Sequence, residues 1–222
     1  MQSILKKIGN RLYKPYVQWR ISKHSTFRYK QIDLIIPNGI FHPKYFNSTL
    51  LLAEFLESLQ LQGKTFLELG CGSGLLSCIA ARASAVVTAS DIHPLAIQTL
   101  RENAAKNKLE MEIILSDLFD NLNNRQFDLI LINPPYYPKN PRSHAERAWY
   151  CGEHFEYFEK LFAQLYNFLT AHSTVYMILS DACDKKRIEK IAAKNKAHLQ
   201  CIQSRKYWSG VEEIFQIMIA EP

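Results

Sequence analysis

Four residues in the middle of the chain, Asn133-Pro134-Pro135-Tyr136, combine a planar amide, two rigid backbone units and an aromatic ring. Pro134 forces Asn133 into an extended conformation, and the two prolines stiffen the turn that follows. The Asn133 side-chain carbonyl can accept one N–H of a planar amine or amide, and the Pro134 backbone carbonyl can accept the other. Both bonds draw the nitrogen lone pair out of conjugation and leave it free to attack. Tyr136 offers a ring face on which a flat group can stack. This suits attack by an NH2 nitrogen on an electrophile carried by a second ligand, with no general base required before the transfer. The plainer alternative is a proline-rich loop that only ends a strand.

A second group of residues describes that other ligand. Glu68-Leu69-Gly70-Cys71-Gly72-Ser73-Gly74 reads as a glycine turn, where the backbone can bend sharply and approach a ligand. Asp91, with Ile92 beside it, follows at the end of the next strand, where a carboxylate can accept both hydroxyls of a ribose. Asp117, with Leu118, ends the third strand, where it can accept an exocyclic adenine amine. Asn133 closes the same row of strand ends. A dinucleotide fingerprint wants G-x-G-x-x-G, with pyrophosphate on the helix N-terminus. Here the spacing is G-x-G-x-G, preceded by Glu68, which repels pyrophosphate and suits the cationic methionine amine of S-adenosylmethionine. That cofactor is the expectation. Cys71 reads as a small spacer within the loop, since no base stands near it in sequence.

The elements that must position these residues can be read from periodicity. Asn47 or Ser48 can cap a helix through about Leu59, with Leu51, Leu52, Phe55 and Leu59 facing inward. Strands are expected over Thr65–Leu69, Ala85–Ala89, Met111–Leu115, Phe127–Ile132 and Thr174–Leu179, with two more near His198–Arg205 and Glu213–Ala220. Helices are expected over residues 74–84, from Pro94 through Ala105, over Glu156–Leu169 and over Asp184–Lys194. The alternation predicts an α/β fold with a doubly wound, mostly parallel, seven-stranded sheet. Ligands in such sheets bind beyond the carboxyl ends of the strands, where both groups of residues fall.

Composition narrows the classes further. The chain has 222 residues, and its formal net charge of +6 is unevenly placed. Residues 1–30 hold eight Lys or Arg and no acidic residue, so the remainder has 19 basic against 21 acidic residues. This excludes a uniformly basic nucleic-acid-coating protein and leaves an N-terminal arm, residues 1–42, able to meet RNA, anionic lipid or an acidic protein. Within the arm, Ile4, Leu5, Ile8 and Leu12 share one helical face until Pro15. Residues 43–222 are expected to form the cofactor-binding domain. No apolar run is long enough for a membrane span, and charges interrupt any signal-peptide core. The five scattered cysteines include no CxxC pair, so a reducing cytoplasm is expected and a metal site is not.

Glu68–Gly74, Asp91, Asp117 and Asn133–Tyr136 together resemble the class I S-adenosylmethionine-dependent methyltransferases that act on planar NH2 groups. The resemblance covers roughly residues 40–220. It implies a Rossmann-like sheet with an antiparallel C-terminal strand. Adenine, cytosine and protein-glutamine methyltransferases share the Asn-Pro-Pro-Tyr turn. Glu146-Arg147-Ala148-Trp149 with Gly152, and Ser209–Glu213, are similar to the HemK-type protein-glutamine group. That group implies a glutamine side chain of a translation release factor as acceptor, with protein the favoured partner. Methylation of an adenine or guanine amine in tRNA or rRNA is the second expectation, supported by Tyr13, Tyr16, Trp19, Phe27 and Tyr29 among the arm's basic residues. A cofactor-binding module without turnover is the third. The long bacterial members have a helical N-terminal domain that docks the release factor, whereas a basic arm and one helix are expected here before the sheet. Residues 137–151 match only in their later part and read as a substrate lid contacting through Arg142, Arg147 and Trp149, or as a surface loop.

Overall fold

The computed structural model describes residues 24–123 and 125–219. The arm's helical pattern between Ile4 and Leu12 lies outside them. A hairpin, β1 (Ser25–Tyr29) and β2 (Ile32–Ile36), comes first, where periodicity predicts no strand. It turns at Lys30, which takes a left-handed φ of 51°, and buries Ile32, Leu34 and Ile36 on one face. Then follow α1 (Asn47–Glu57), β3 (Thr65–Leu69), α2 (Leu75–Arg82), β4 (Val86–Asp91), α3 (Pro94–Lys106), β5 (Glu112–Leu115) and β6 (Phe127–Ile132). After a long loop come α4 (Glu156–Leu165), β7 (Leu169–Ser180), α5 (Lys185–Lys194), β8 (Ala197–Tyr207) and β9 (Gly210–Ile219).

The seven strands β3–β9 form one sheet in the order β5-β4-β3-β6-β7-β9-β8. Pairings among β3 to β7 are parallel, and β9 lies antiparallel between β7 and β8. The doubly wound sheet and its antiparallel C-terminal strand are as expected. Period-two alternation explains the layers. On β6, Leu129 and Leu131 face the core shared with α1, α2 and the hairpin, while Ile130 and Ile132 face that of α4 and α5. A strand buried on both faces must be apolar throughout, which is the FDLILI signature.

Several boundaries differ from the periodic reading, most of all that of β7, which begins at Leu169 and not at Thr174. The fourth helix stops at Leu165, not Leu169: a 3-10 turn covers Tyr166–Phe168, and Leu169 already pairs with Phe127. Helix α1 begins at Asn47, so its N-cap is Phe46, whose side chain has no oxygen to cap with; the Asn47 amide donates to Ser209 Oγ at 3.0 Å.

The hairpin is joined to α3 through two asparagines one turn apart. Asn103 accepts from Ile35 N–H at 2.7 Å and donates to Ile35 C=O at 3.0 Å. Asn107 accepts from Asp33 N–H and donates to Asp33 C=O, both at 2.9 Å. These side chains satisfy the open edge of β2 as a neighbouring strand would. Asn103 also donates to Ser73 C=O at 3.0 Å, tying the hairpin to the glycine loop.

Candidate active site

A cleft of about 1180 Å³ opens at the carboxyl ends of β3, β4, β5 and β6. It collects Glu68, Gly70, Cys71, Gly72, Asp91, Ile92, Asp117, Leu118 and Asn133–Tyr136, residues far apart in sequence. Of the expected group, Gly74 does not line it.

The glycine loop is held by its own strand ends. Gly70 and Cys71 donate to Ser90 C=O at 2.8 and 3.0 Å, and Gly72 donates to Asp91 Oδ2 at 2.9 Å. All three glycines have φ between 52° and 80°, where a side chain is strained. Gly74 serves packing: a Cβ there would lie 2.1 Å from Leu100 Cδ1 of α3. Alternation puts Glu68 beneath the first turn of α2. There its Oε2 accepts from Ser77 N–H at 2.8 Å and from the Ser77 hydroxyl. Burial pushes the Glu68 carboxyl up to about 8, against the pull of the Ser77 bonds. A cation in the cleft would reverse that shift. Cys71 is buried, and its thiol is pushed well above the ordinary value by burial, then by Asp91 and Glu68.

Asp91 uses both oxygens on backbone: Oδ2 takes Gly72 N–H, and Oδ1 takes His93 N–H at 2.8 Å. A carboxylate has about four lone-pair sites, so two remain for a ligand's hydroxyls. The anchoring fixes its direction. Asp117 pairs with Lys160 of α4 at 2.9 Å, and the same ammonium reaches Asp120 at 2.6 Å. Leu118 is buried with a φ of 52°, so the chain turns sharply past this end of the cleft. A buried glutamate, a doubly anchored aspartate and this third carboxylate suit the amine, ribose and adenine ends of S-adenosylmethionine.

At the other end of the cleft, Asn133 Nδ2 donates to Thr49 Oγ1 of α1 at 3.2 Å, leaving Oδ1 as the acceptor. Burial pushes the Tyr136 hydroxyl upward, against the pull of the nearby Ser180 side chain. Ser180 pairs across the sheet with Glu212, which also lines the cleft. Glu212 Oε2 is buried without a hydrogen-bond partner among the described residues. Burial and the neighbouring Asp181 push its carboxyl up to about 7. Thr49 and Glu212 were not among the expected site residues. The Ser48-Thr49 pair read only as a helix start, and Glu212 only as part of a hairpin.

The loop after the turn is clasped at its neck. Tyr137 N–H donates to Trp149 C=O and Cys151 N–H to Tyr137 C=O, both at 3.0 Å. Trp149 packs with Phe41 and Phe46, at 5.3 and 5.0 Å between ring centroids. The His144 ring stacks on His93 at 5.1 Å, so the loop reaches back over the Asp91 turn. Arg147 and Trp149 line the cleft; Arg142 does not. Among the described residues, no cluster of His, Cys, Asp or Glu has the makings of a metal site, and no helix is long and apolar enough to cross a membrane.

Comparison with known proteins agrees with this geometry. Residues 25–150 match the methyltransferase small domain family. A ribosomal RNA small subunit methyltransferase C of Haemophilus influenzae is 34% identical over 122 residues, covering 54% of this chain and 36% of that protein. A putative protein N5-glutamine methyltransferase of Methanocaldococcus jannaschii is 37% identical over 102 residues, covering 44% of this chain and 50% of that protein. The chain thus spans about a third to a half of these relatives' lengths. Among solved structures, the T. thermophilus 16S rRNA N2 G1207 methyltransferase, in complex with AdoMet and guanosine, superposes with a TM-score of 0.64. It is 18% identical, over 89% of this chain and 50% of that one, a likeness of fold. The chain belongs to the methyltransferase small domain family, and its fold is that of these solved methyltransferases.

Proposed function

We propose that this protein methylates a planar NH2 nitrogen held at the Asn133–Tyr136 turn. The observation that carries this reading is the Asn133–Thr49 hydrogen bond, which leaves Asn133 Oδ1 as an acceptor inside the cofactor cleft. Asn133 Oδ1 and the Pro134 carbonyl take the two N–H groups, and Pro135 keeps the turn stiff, so the acceptors are set before substrate arrives. Tyr136 borders the acceptor group, its hydroxyl near the Ser180 side chain. Glu68 holds the methionine amine, Asp91 the ribose and Asp117 the adenine, with Gly70, Cys71, Gly72, Ile92 and Leu118 shaping the walls; Gly74 lets the loop pack on α3. S-adenosylmethionine supplies an electrophilic sulfonium methyl. The nitrogen sheds its extra proton to solvent afterwards.

Two finer readings of the acceptor stand side by side, and the first is a protein glutamine side chain in a translation factor. The similarity to the Methanocaldococcus glutamine methyltransferase supports it, as do the acidic Asp181 and Glu212 beside the turn. An RNA base amine is the second reading, favoured by the similarity to the Haemophilus ribosomal RNA methyltransferase and by the exposed basic side chains of α5. Transfer of radiolabelled methyl into a lysate separated into protein and RNA tests both. Label in a protein fraction, recovered as methylglutamine, supports the first. Label only in RNA overturns it, and no label anywhere overturns the enzymatic reading.

A further inference from the structure

The basic N-terminal arm masks a second charge asymmetry. Residues 184–206 hold eight Lys or Arg against two acidic residues. The rest of residues 31–222 carries 11 basic against 19 acidic. The near-neutral body is therefore polarised: a short positive segment stands against a negative remainder.

The fold makes this segment one surface. Ile188, Ile191 and Ala192 of α5 are buried, which turns Lys186, Arg187 and Lys190 outward, with Lys196 exposed just past the helix end. None of these four side chains has an acidic partner among the described residues, and Glu189 alone interrupts the face. Lys185 and Lys194, by contrast, are paired with Glu213 and Glu159.

The ridge begins at the active cleft. Ser180, Asp181 and Ala182, just before α5, line the cleft. Asp181 N–H donates to Val211 C=O at 2.9 Å, fastening the start of α5 to the β8–β9 hairpin. The tip of that hairpin carries Lys206 and Trp208, with Trp208 62% exposed and lining the cleft mouth. A row of unpaired cations leading to an exposed aromatic at a methyl-acceptor site is the arrangement that tracks a phosphate backbone and stacks an unpaired base. The negative remainder of the body steers a polyanion toward this face.

We propose that the exposed face of α5 and the β8–β9 tip form a docking surface for the phosphate backbone of RNA, presenting an unstacked base to the Asn133–Tyr136 turn. This rests on the proposed methyl transfer to a planar NH2 group and selects RNA as the molecule that bears it.

The test uses the full chain, arm included, with deproteinised small-subunit ribosomal RNA as probe. Binding is measured between 50 and 200 mM salt for wild type and for the triple variant Lys186→Gln, Lys190→Gln, Lys196→Gln. Each phosphate contact contributes roughly 0.7–0.9 to the slope of log affinity against log salt. The triple variant should lower that slope by about 2 and weaken binding at least tenfold, with an unchanged melting temperature. Trp208→Ala should weaken binding with the slope intact. An unaltered slope and affinity in the triple variant would overturn the surface, as would methyl transfer to a purified protein that RNA does not compete away. Asn133→Ala separates the two claims. It should bind RNA as wild type does and lose transfer; retained transfer would sink the proposed chemistry, whereas an unaltered triple variant sinks the docking surface alone.

Discussion

Asn133, after the last residue of β6, and Thr49, in the first turn of α1, meet at 3.2 Å although 84 residues separate them. The bond decides which end of the Asn133 amide faces the cleft. With an Nδ2 hydrogen engaged by Thr49 Oγ1, Oδ1 is left as the acceptor of the amide, and Thr49 is itself buried. Asn133→Ala should bind S-adenosylmethionine nearly normally and lose roughly 10²–10³ in turnover, the scale for one preorganised hydrogen-bonding group. Thr49→Val keeps the shape and removes the acceptor. It should lower turnover about tenfold, equivalent to about 1.4 kcal/mol, with cofactor affinity unchanged. Thr49→Ser should restore the rate. A Thr49→Val enzyme as fast as wild type would show that Asn133 holds its orientation unaided.

The buried Glu68 couples stability, pH and cofactor binding. Its folded-state value of about 8 lies above its ordinary 4.5, so the unfolded chain ionises first. The contribution of this group to stability is fully present below about pH 4.5 and is lost as pH rises through about 8. Glu212, at about 7, adds to the same slope. In Glu68→Gln the fall in melting temperature between pH 5 and pH 8 should become shallower, with the remainder due to Glu212. The same variant should bind S-adenosylmethionine at least tenfold more weakly, having lost the partner of its ammonium. Thermal unfolding across pH and calorimetric titration measure the two effects. A variant with the wild-type pH slope would place the titration elsewhere.

Gly74 and Gly63 separate backbone strain from packing. Both have positive φ, but a Cβ at Gly63 meets nothing within 4 Å, whereas one at Gly74 collides with buried Leu100. Gly63→Ala should cost about 1 kcal/mol, the left-handed penalty alone. Gly74→Ala should cost about 2–4 kcal/mol, because α2 and α3 must also separate. Denaturant unfolding of both variants checks the difference, and equal losses would remove Leu100 from the account.

The cysteines should divide by accessibility. Cys201 is exposed, and the other four are buried. Burial pushes the Cys78 and Cys183 thiols up to about 12 and that of Cys151 up to about 11. A thiol reagent at pH 8 should therefore modify one residue quickly and four more only on unfolding. Rapid loss of a second thiol in the native protein would show that the glycine loop or its neighbours open readily.

The strands and helices were legible because burial on both faces demands apolar runs, and a helix packed on a sheet demands its own period. Phe127–Ile132 and Thr65–Leu69 have the expected bounds for that reason. The hairpin β1–β2 was obscured by its surroundings. Its five-residue strands sit beside a stretch of Lys and Arg, and β2 completes its hydrogen bonding with Asn103 and Asn107 of α3, partners that no local pattern announces. Leu165–Leu169 misled in the opposite way, since an apolar helical period continues where pairing with Phe127 has already begun.

By itself the sequence determined the order of layers and placed the Gly70–Gly74 loop and the Asn133–Tyr136 turn at strand ends, because each of these depends on residue type at short spacing. Tertiary structure alone decided that Thr49 orients Asn133, that Lys160 sits on Asp117, that Gly74 is a packing residue, and that Glu212 comes to the acceptor end of the cleft. Those relations join residues from different elements. They depend on the crossing of strands in the sheet and on which helix face turns inward, quantities that have no local signature in the chain.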